Sequence, residues 1–236
     1  MATPHATSPL PRDPADARKL RVLCLHGYRG SGDVLRAQMQ PLANGLEPLV
    51  EFVYVDAPSL AEGDFGWWHA VRNETSGRPG DPGVGHESKH YKGWARTRDA
   101  IVSIFERQGP FDGVFGFSQG AALTSLLVGL RAPDGKPTHE RPLAFDFAMM
   151  VGGFSSNDPA HAALYGAAGS FELPSLHIVG RSDFIVPSAD SLALASRFTN
   201  PLVLQHEGGH VIASEPPVRD RVRSFLAEMR QRRVAR

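Results

Sequence analysis

Six short apolar runs, at residues 21–25, 51–55, 113–117, 145–151, 176–179 and 202–205, recur along the chain, each bounded by Gly, Pro or Asp. Runs this short and this rich in Val, Ile, Leu and Phe read as strands buried on both faces. Between them lie 33–46, 94–108, 119–131, 188–198 and 217–233, where apolar residues recur at helical spacing. Strands separated by helices need crossover connections. The pattern therefore predicts an α/β fold, a mostly parallel central sheet with helices on both faces. A chain of 236 residues suits one such domain, expected over 20–233. Residues 1–19, rich in Pro, Ala and Asp without a continuous apolar stretch, are expected to form a disordered tail.

Two segments interrupt the alternation. Residues 57–92 are long and Gly-rich, with Trp67 and Trp68 near their start, and read as an active-site loop insertion near 57–93. In an open α/β sheet, ligands bind beyond the carboxyl ends of the strands, where this segment would lie. Residues 133–142 form a polar connection expected to be mobile.

Charge excludes some functions. Lys plus Arg number 25 and so do Asp plus Glu, which leaves no electrostatic footprint for nucleic acid. Arg230-Gln231-Arg232-Arg233 is too short and terminal to change that, and reads as a solvated helix end. No segment approaches transmembrane length, and residues 1–19, without a continuous apolar stretch, are not expected to act as a secretory signal. The single cysteine, Cys24, lies among apolar neighbours and reads as a core residue; its isolation fits a reducing, cytoplasmic setting. Asn73-Glu74-Thr75 matches a glycosylation sequon, which without a secretion route reads as chance.

Gly116-Phe117-Ser118-Gln119-Gly120 matches G-x-S-x-G. A strand-like run leads into it and a helix-like stretch leads out, the context of a nucleophile elbow. Ser118 would sit on a strained turn that holds its hydroxyl clear of the backbone, with glycine needed at 116 and 120 for close approach. A helix N-cap serine in an ordinary βα turn is the plainer alternative.

An elbow serine is followed in chain order by an acid and then a histidine. Asp183 stands in Gly180-Arg181-Ser182-Asp183, just beyond the fifth strand; Asp158 reads instead as a turn or cap residue and Asp190 falls on a helix. His210 follows the last strand through Glu207-Gly208-Gly209. His177 lies inside a strand, where a packed core role is expected, His206 ends one, and His26 precedes the elbow. His206-Glu207-Gly208-Gly209-His210 also matches H-E-x-x-H, but that zinc pattern needs a helix, and two glycines after a strand oppose one. No metal and no cofactor is expected.

The first strand ends in Leu25-His26-Gly27-Tyr28-Arg29-Gly30. In this fold the oxyanion donors are the N–H after the nucleophile and one from this loop, here the backbone amides of Gln119 and Tyr28. Trp67, Trp68, Phe154 and Ile185 are candidates for an apolar substrate pocket, each following a strand. The adjacent tryptophans read equally well as anchors of their loop to the core.

Together, Leu25-His26-Gly27-Tyr28, Trp67-Trp68, the elbow, Gly153-Phe154, Gly180-Arg181-Ser182-Asp183 and His206-Glu207-Gly208-Gly209-His210 resemble the FSH family of serine hydrolases, from about residue 21 to 225. That family includes thioesterase-like hydrolases encoded beside polyketide synthases. The resemblance implies an α/β-hydrolase fold and a metal-free esterase or thioesterase, with Ser118, Asp183 and His210 as the Ser-His-Asp triad. Its partner would be a small acyl ester or thioester, free or carrier-bound. A C–C bond hydrolase and a non-catalytic acyl-binding module on the same scaffold are the rival readings.

Overall fold

The computed structural model describes residues 18–59, 66–72, 89–166 and 169–234. Most of the N-terminal tail, the Asn73-Glu74-Thr75 sequon and the centre of the 57–93 insertion lie outside these residues. In chain order the elements are β1 (Leu20–Leu25), α1 (Gly32–Ala43), β2 (Val50–Val55), β3 (His69–Arg72), β4 (Lys89–Lys92), α2 (Trp94–Gln108), β5 (Gly113–Phe117), α3 (Gln119–Gly129), β6 (Phe147–Val151), β7 (Ser175–Gly180), α4 (Ser188–Ala195), β8 (Leu202–His206) and α5 (Pro216–Val234). A six-stranded sheet runs β2-β1-β5-β6-β7-β8, and every neighbouring pair in it is parallel. This is the expected α/β architecture.

Alternation along each strand divides the core into two layers. Leu23 and Leu25 of β1, Val114 of β5 and Met150 of β6 pack with Ile101 of α2, with Leu123 and Leu126 of α3 and with Leu194 of α4. Their strand neighbours Val22, Cys24, Phe115 and Met149 face the other way, onto Leu35 and Met39 of α1 and Val222 and Phe225 of α5. Each such side chain removed from water contributes about 1.5–3 kcal/mol, which is why the strand-like runs are apolar throughout. Cys24 sits in this core, where burial pushes its thiol well above the usual range, as a packing residue rather than a nucleophile.

One pair of strands lies outside the apolar runs. β3 and β4 form an antiparallel hairpin within the 57–93 insertion, pairing His69 with Lys92 and Arg72 with Lys89. Both strands are short and largely polar, and residues 73–88 separate them where a hairpin signal needs only about two to five, so neither periodicity nor hairpin spacing announces them. A 3₁₀ helix at Pro159–Leu164, capped by the Asp158 carboxylate accepting the Ala160 N–H, is also absent from the pattern. The 133–142 connection is exposed and folded into turns, with Asp134 accepting the Lys136 N–H and Thr138 that of Arg141. Among the described residues, no helix is long and apolar enough to cross a membrane.

His177 points into the core from β7, 2 % exposed, with Ser175 as its hydrogen-bond partner at 3.1 Å. Burial lowers its pKa to about 3. The unfolded chain therefore binds one more proton than the native state between pH of about 6.5 and that value, and stability falls as pH falls through this window. The loss from this residue is at most about 1.4 kcal/mol per pH unit. His177→Gln keeps a partner for Ser175 and removes the titration. Urea denaturation at pH values between about 6.5 and 4 should show a shallower loss of stability in the variant; identical pH dependence in the two proteins would contradict this origin.

Candidate active site

β1 and β5 are neighbours, yet the chain visits β2 on the far side of β1 before crossing back. Strand order reverses at this pair, so the loops leaving its carboxyl end diverge and open a crevice. Leu25 stands opposite Gly116 in register. The crevice is therefore walled by the loop starting at His26 and by the turn at Ser118.

Ser118 joins β5 directly to α3, with φ 56° and ψ −118°. A positive φ at a residue with a Cβ costs about 1–3 kcal/mol and persists only where the surroundings impose it. Here they do. The Ser118 N–H donates to the Val151 carbonyl at 2.9 Å, and its own carbonyl accepts from Ala121 and Ala122. A methyl group at Gly116 would collide with the Gly120 carbonyl, and one at Gly120 with that of Leu25. Glycine at both positions lets α3 start against the end of β1. Gln119 is the first residue of α3, so its backbone N–H has no intrahelical acceptor.

Asp183 lies in the loop after β7 and is 8 % exposed. Its Oδ1 accepts the N–H groups of Ile185 and Val186, both at 2.9 Å, and its Oδ2 is 2.7 Å from His210 Nδ1. Burial opposes ionisation most strongly, but the His210 hydrogen bond, the two amides and the nearby imidazole outweigh it. The carboxyl is held below the usual carboxylate range. The other acids are engaged elsewhere: Asp158 caps the 3₁₀ helix and accepts the Tyr91 N–H at 2.7 Å, and Asp190 sits in the first turn of α4.

His210 follows β8 through Gly208 and Gly209. Its ring packs on Phe117, the residue before Ser118, with centroids 4.9 Å apart. It also lies against Gly152, where a Cβ would stand 3.0 Å from His210 Cε1. Gly152 has φ 57° and directly follows Val151, the acceptor of the Ser118 N–H. The three sequence candidates thus gather at the carboxyl ends of β5, β7 and β8, with the end of β6 between them. The H-E-x-x-H segment is strand and turn, not helix. His206 Nδ1 accepts the Gly208 N–H at 3.2 Å, fixing the turn that carries His210.

On the other wall, the Gly27–Gly30 turn closes with a 3.1 Å hydrogen bond and places Tyr28 at its tip. A Cβ at Gly27 would lie 3.2 Å from Ser118 Cβ, so this loop's backbone touches the elbow directly. His26, 1 % exposed, accepts the Ala57 N–H on Nε2 at 3.0 Å and contacts the Gly27 carbonyl through Nδ1 at 2.8 Å. Burial lowers its pKa despite opposing effects of Gly27 and Asp56, and keeps the ring neutral with its proton on Nδ1.

The four pocket candidates separate. Trp67 and Trp68 are 1 % and 3 % exposed and belong to the core: the Trp67 indole donates to the His26 carbonyl at 2.8 Å, and Trp68 stacks on Tyr91 at 4.7 Å. Both are buried as anchors of their segment, the role in which the Trp67 indole N–H is satisfied. Phe154 is half-buried against the same core. Ile185 is exposed beside Asp183, and so are its neighbour Phe184, Tyr28 of the β1 loop and Val211 next to His210. Phe184, which adjoins Asp183, is not among the four candidates, and no pattern in the sequence marks it. A separate cleft of about 520 Å³ adjoins Ser175 and Leu202, at the amino ends of β7 and β8 and so opposite the gathered candidates.

A family model described as serine hydrolase (FSH1) matches residues 16–222. The esterase OVCA2 of Xenopus tropicalis is 32 % identical over 228 residues, covering 90 % of this chain and 94 % of the relative. Esterase CG5412 of Drosophila melanogaster is 34 % identical over 205 residues, covering 81 % and 68 %. Among solved structures, acyl-protein thioesterase 2 of Zea mays superposes with a TM-score of 0.59 at 20 % identity, over 92 % of this chain and 96 % of that one. Such a likeness bears on the fold alone, which is that of the α/β-hydrolases.

Gly152 ties these elements together, since its positive φ and missing side chain leave space for the imidazole. Gly152→Ala should lower stability by about 1–2 kcal/mol in chemical denaturation, from backbone strain and displacement of His210. An unchanged denaturation midpoint would contradict the packing described.

Proposed function

The chain belongs to the serine hydrolase (FSH1) family, and on that premise we propose that it cleaves carboxylic esters or thioesters of acyl chains through Ser118, His210 and Asp183. The observation that carries this reading is the 2.7 Å contact between His210 Nδ1 and Asp183 Oδ2, on a ring packed against the residue before Ser118. With Nδ1–H donated to the carboxylate, the basic lone pair is on Nε2. That is the tautomer a general base for a serine hydroxyl requires.

In the proposed reaction His210 takes the proton of Ser118 as its Oγ attacks the acyl carbonyl. The tetrahedral oxyanion accepts hydrogen bonds from the backbone N–H groups of Gln119 and Tyr28, each worth about 3 kcal/mol of transition-state stabilisation. Gln119 contributes from the first turn of α3, whose dipole adds to the effect. His210 returns the proton to the leaving alcohol or thiol, then activates water to release the carboxylic acid. Asp183 stays ionised and steadies the imidazolium. Tyr28, Phe184, Ile185 and Val211 supply exposed apolar surface beside the reacting groups, suited to an acyl chain.

A fluorophosphonate probe should label Ser118, and Ser118→Ala should abolish labelling and lower ester hydrolysis by about 10⁶-fold. Hydrolysis surviving in purified Ser118→Ala would overturn the assignment.

A further inference from the structure

The reaction above uses only the backbone of Gln119, yet its side chain is buried and its carboxamide is hydrogen-bonded at both ends. Oε1 accepts the Trp67 N–H at 2.9 Å and Nε2 donates to the Trp68 carbonyl at 2.8 Å. Both bonds reach back to one short piece of chain, Gly66-Trp67-Trp68. That piece also abuts the opposite wall of the crevice. A Cβ at Gly66 would lie 2.8 Å from Tyr28 Cδ2 and 2.9 Å from Gln119 Oε1, so bare backbone is wedged between the Tyr28 ring and the Gln119 amide.

The same piece is held from three further directions. The Trp67 indole donates to the His26 carbonyl, just before Gly27 and Tyr28. The Trp67 carbonyl accepts the Thr97 hydroxyl of α2. Trp68 is stacked on Tyr91 of β4. The two proposed oxyanion donors, one in the β1 loop and one at the start of α3, more than ninety positions apart in sequence, are therefore braced against a single strut.

We propose that Gln119 is a positioning residue, whose carboxamide locks Gly66–Trp68 between the two loops and so fixes the Gln119 and Tyr28 backbone N–H groups relative to each other. This rests on the reading that those amides hold the oxyanion. The chemistry of the cradle selects glutamine. It offers one donor and one acceptor to a side chain, which an amide matches at every pH and a carboxyl of this size only when protonated. Methionine fills the volume but leaves the Trp67 N–H and the Trp68 carbonyl unpaired. Glutamate accepts from Trp67 but sets a carboxylate against the Trp68 carbonyl, unless it takes up a proton and becomes a donor. A donor displaced from the oxyanion is felt in the transition state more than in substrate binding, so the effect falls on kcat.

The test is steady-state hydrolysis of p-nitrophenyl butyrate by the full chain and its Gln119→Met and Gln119→Glu variants, with active sites counted by fluorophosphonate titration. Both variants should lose about 10- to 100-fold in kcat at pH 8 with KM changed by less than about threefold. For Gln119→Glu, kcat relative to the parent should recover as pH is lowered from about 8 to 6, as the carboxyl regains a proton; for Gln119→Met the ratio should stay flat. A Gln119→Met kcat within about twofold of the parent, or a loss confined to KM, would overturn the proposal. If Gln119→Met does not fold, the Gln119→Glu ratio decides, and a pH-independent ratio overturns it. Failure of the parent itself to be labelled at Ser118 would overturn the catalytic reading instead, and the two failures are thereby distinct.

Discussion

The backbone of Ser118, held at φ 56° between β5 and α3, is the constraint on which the rest of the site depends. A strand can turn into a helix this sharply only if the helix starts close against the neighbouring strand. Gly116 and Gly120 permit that approach, because any side chain there would meet a carbonyl of α3 or β1. The strain is sustained by the core beneath it. β5 and α3 are buried along their lengths, and the Ser118 amide is tied to β6. The turn therefore presents its hydroxyl at the place where strand order reverses and the crevice opens.

From that fixed point the other groups are placed by strand order. β6 lies beside β5 and ends at Val151, which accepts the Ser118 N–H, and the next residue, Gly152, makes room for His210. β7 ends in the loop whose two amides hold Asp183, and β8 ends in the turn pinned by His206. Asp183 and His210 are separated by 27 positions in the chain yet meet at 2.7 Å, because adjacent parallel strands deliver their carboxyl-end loops to the same edge. On the other side of β5, β1 brings its loop into contact with the elbow. Each wall of the crevice is thus a consequence of which strand neighbours which.

Much of this was legible in the sequence because parallel strands covered on both faces leave unbroken apolar runs, as in β1 and β6, and because glycines flank the elbow. The order of serine, acid and histidine points to Asp183 by its place after a strand, and in the structure that residue follows β7 and meets His210. Other features carried no local signal. The β3–β4 hairpin is polar, short and joined by a long connection, so its pairing comes from tertiary contacts such as Asp158 with the Tyr91 amide. The side-chain partners of Gln119 lie 51 and 52 positions away, beyond the reach of any periodicity. The tryptophan pair admits two readings from sequence, and the burial of both side chains, with the Trp67 indole N–H satisfied, is what an anchor requires.

The central claim is that a hydroxyl, an imidazole and two backbone amides converge on one reacting carbon. A crystal structure of the chain after reaction with a small organophosphonate tests it most directly. The account predicts a bond from Ser118 Oγ to phosphorus, a phosphoryl oxygen about 2.7–3.1 Å from the amide nitrogens of both Tyr28 and Gln119, and His210 beside the adduct. Phosphorus attached to any other residue, or a phosphoryl oxygen turned away from those amides into solvent, would contradict it.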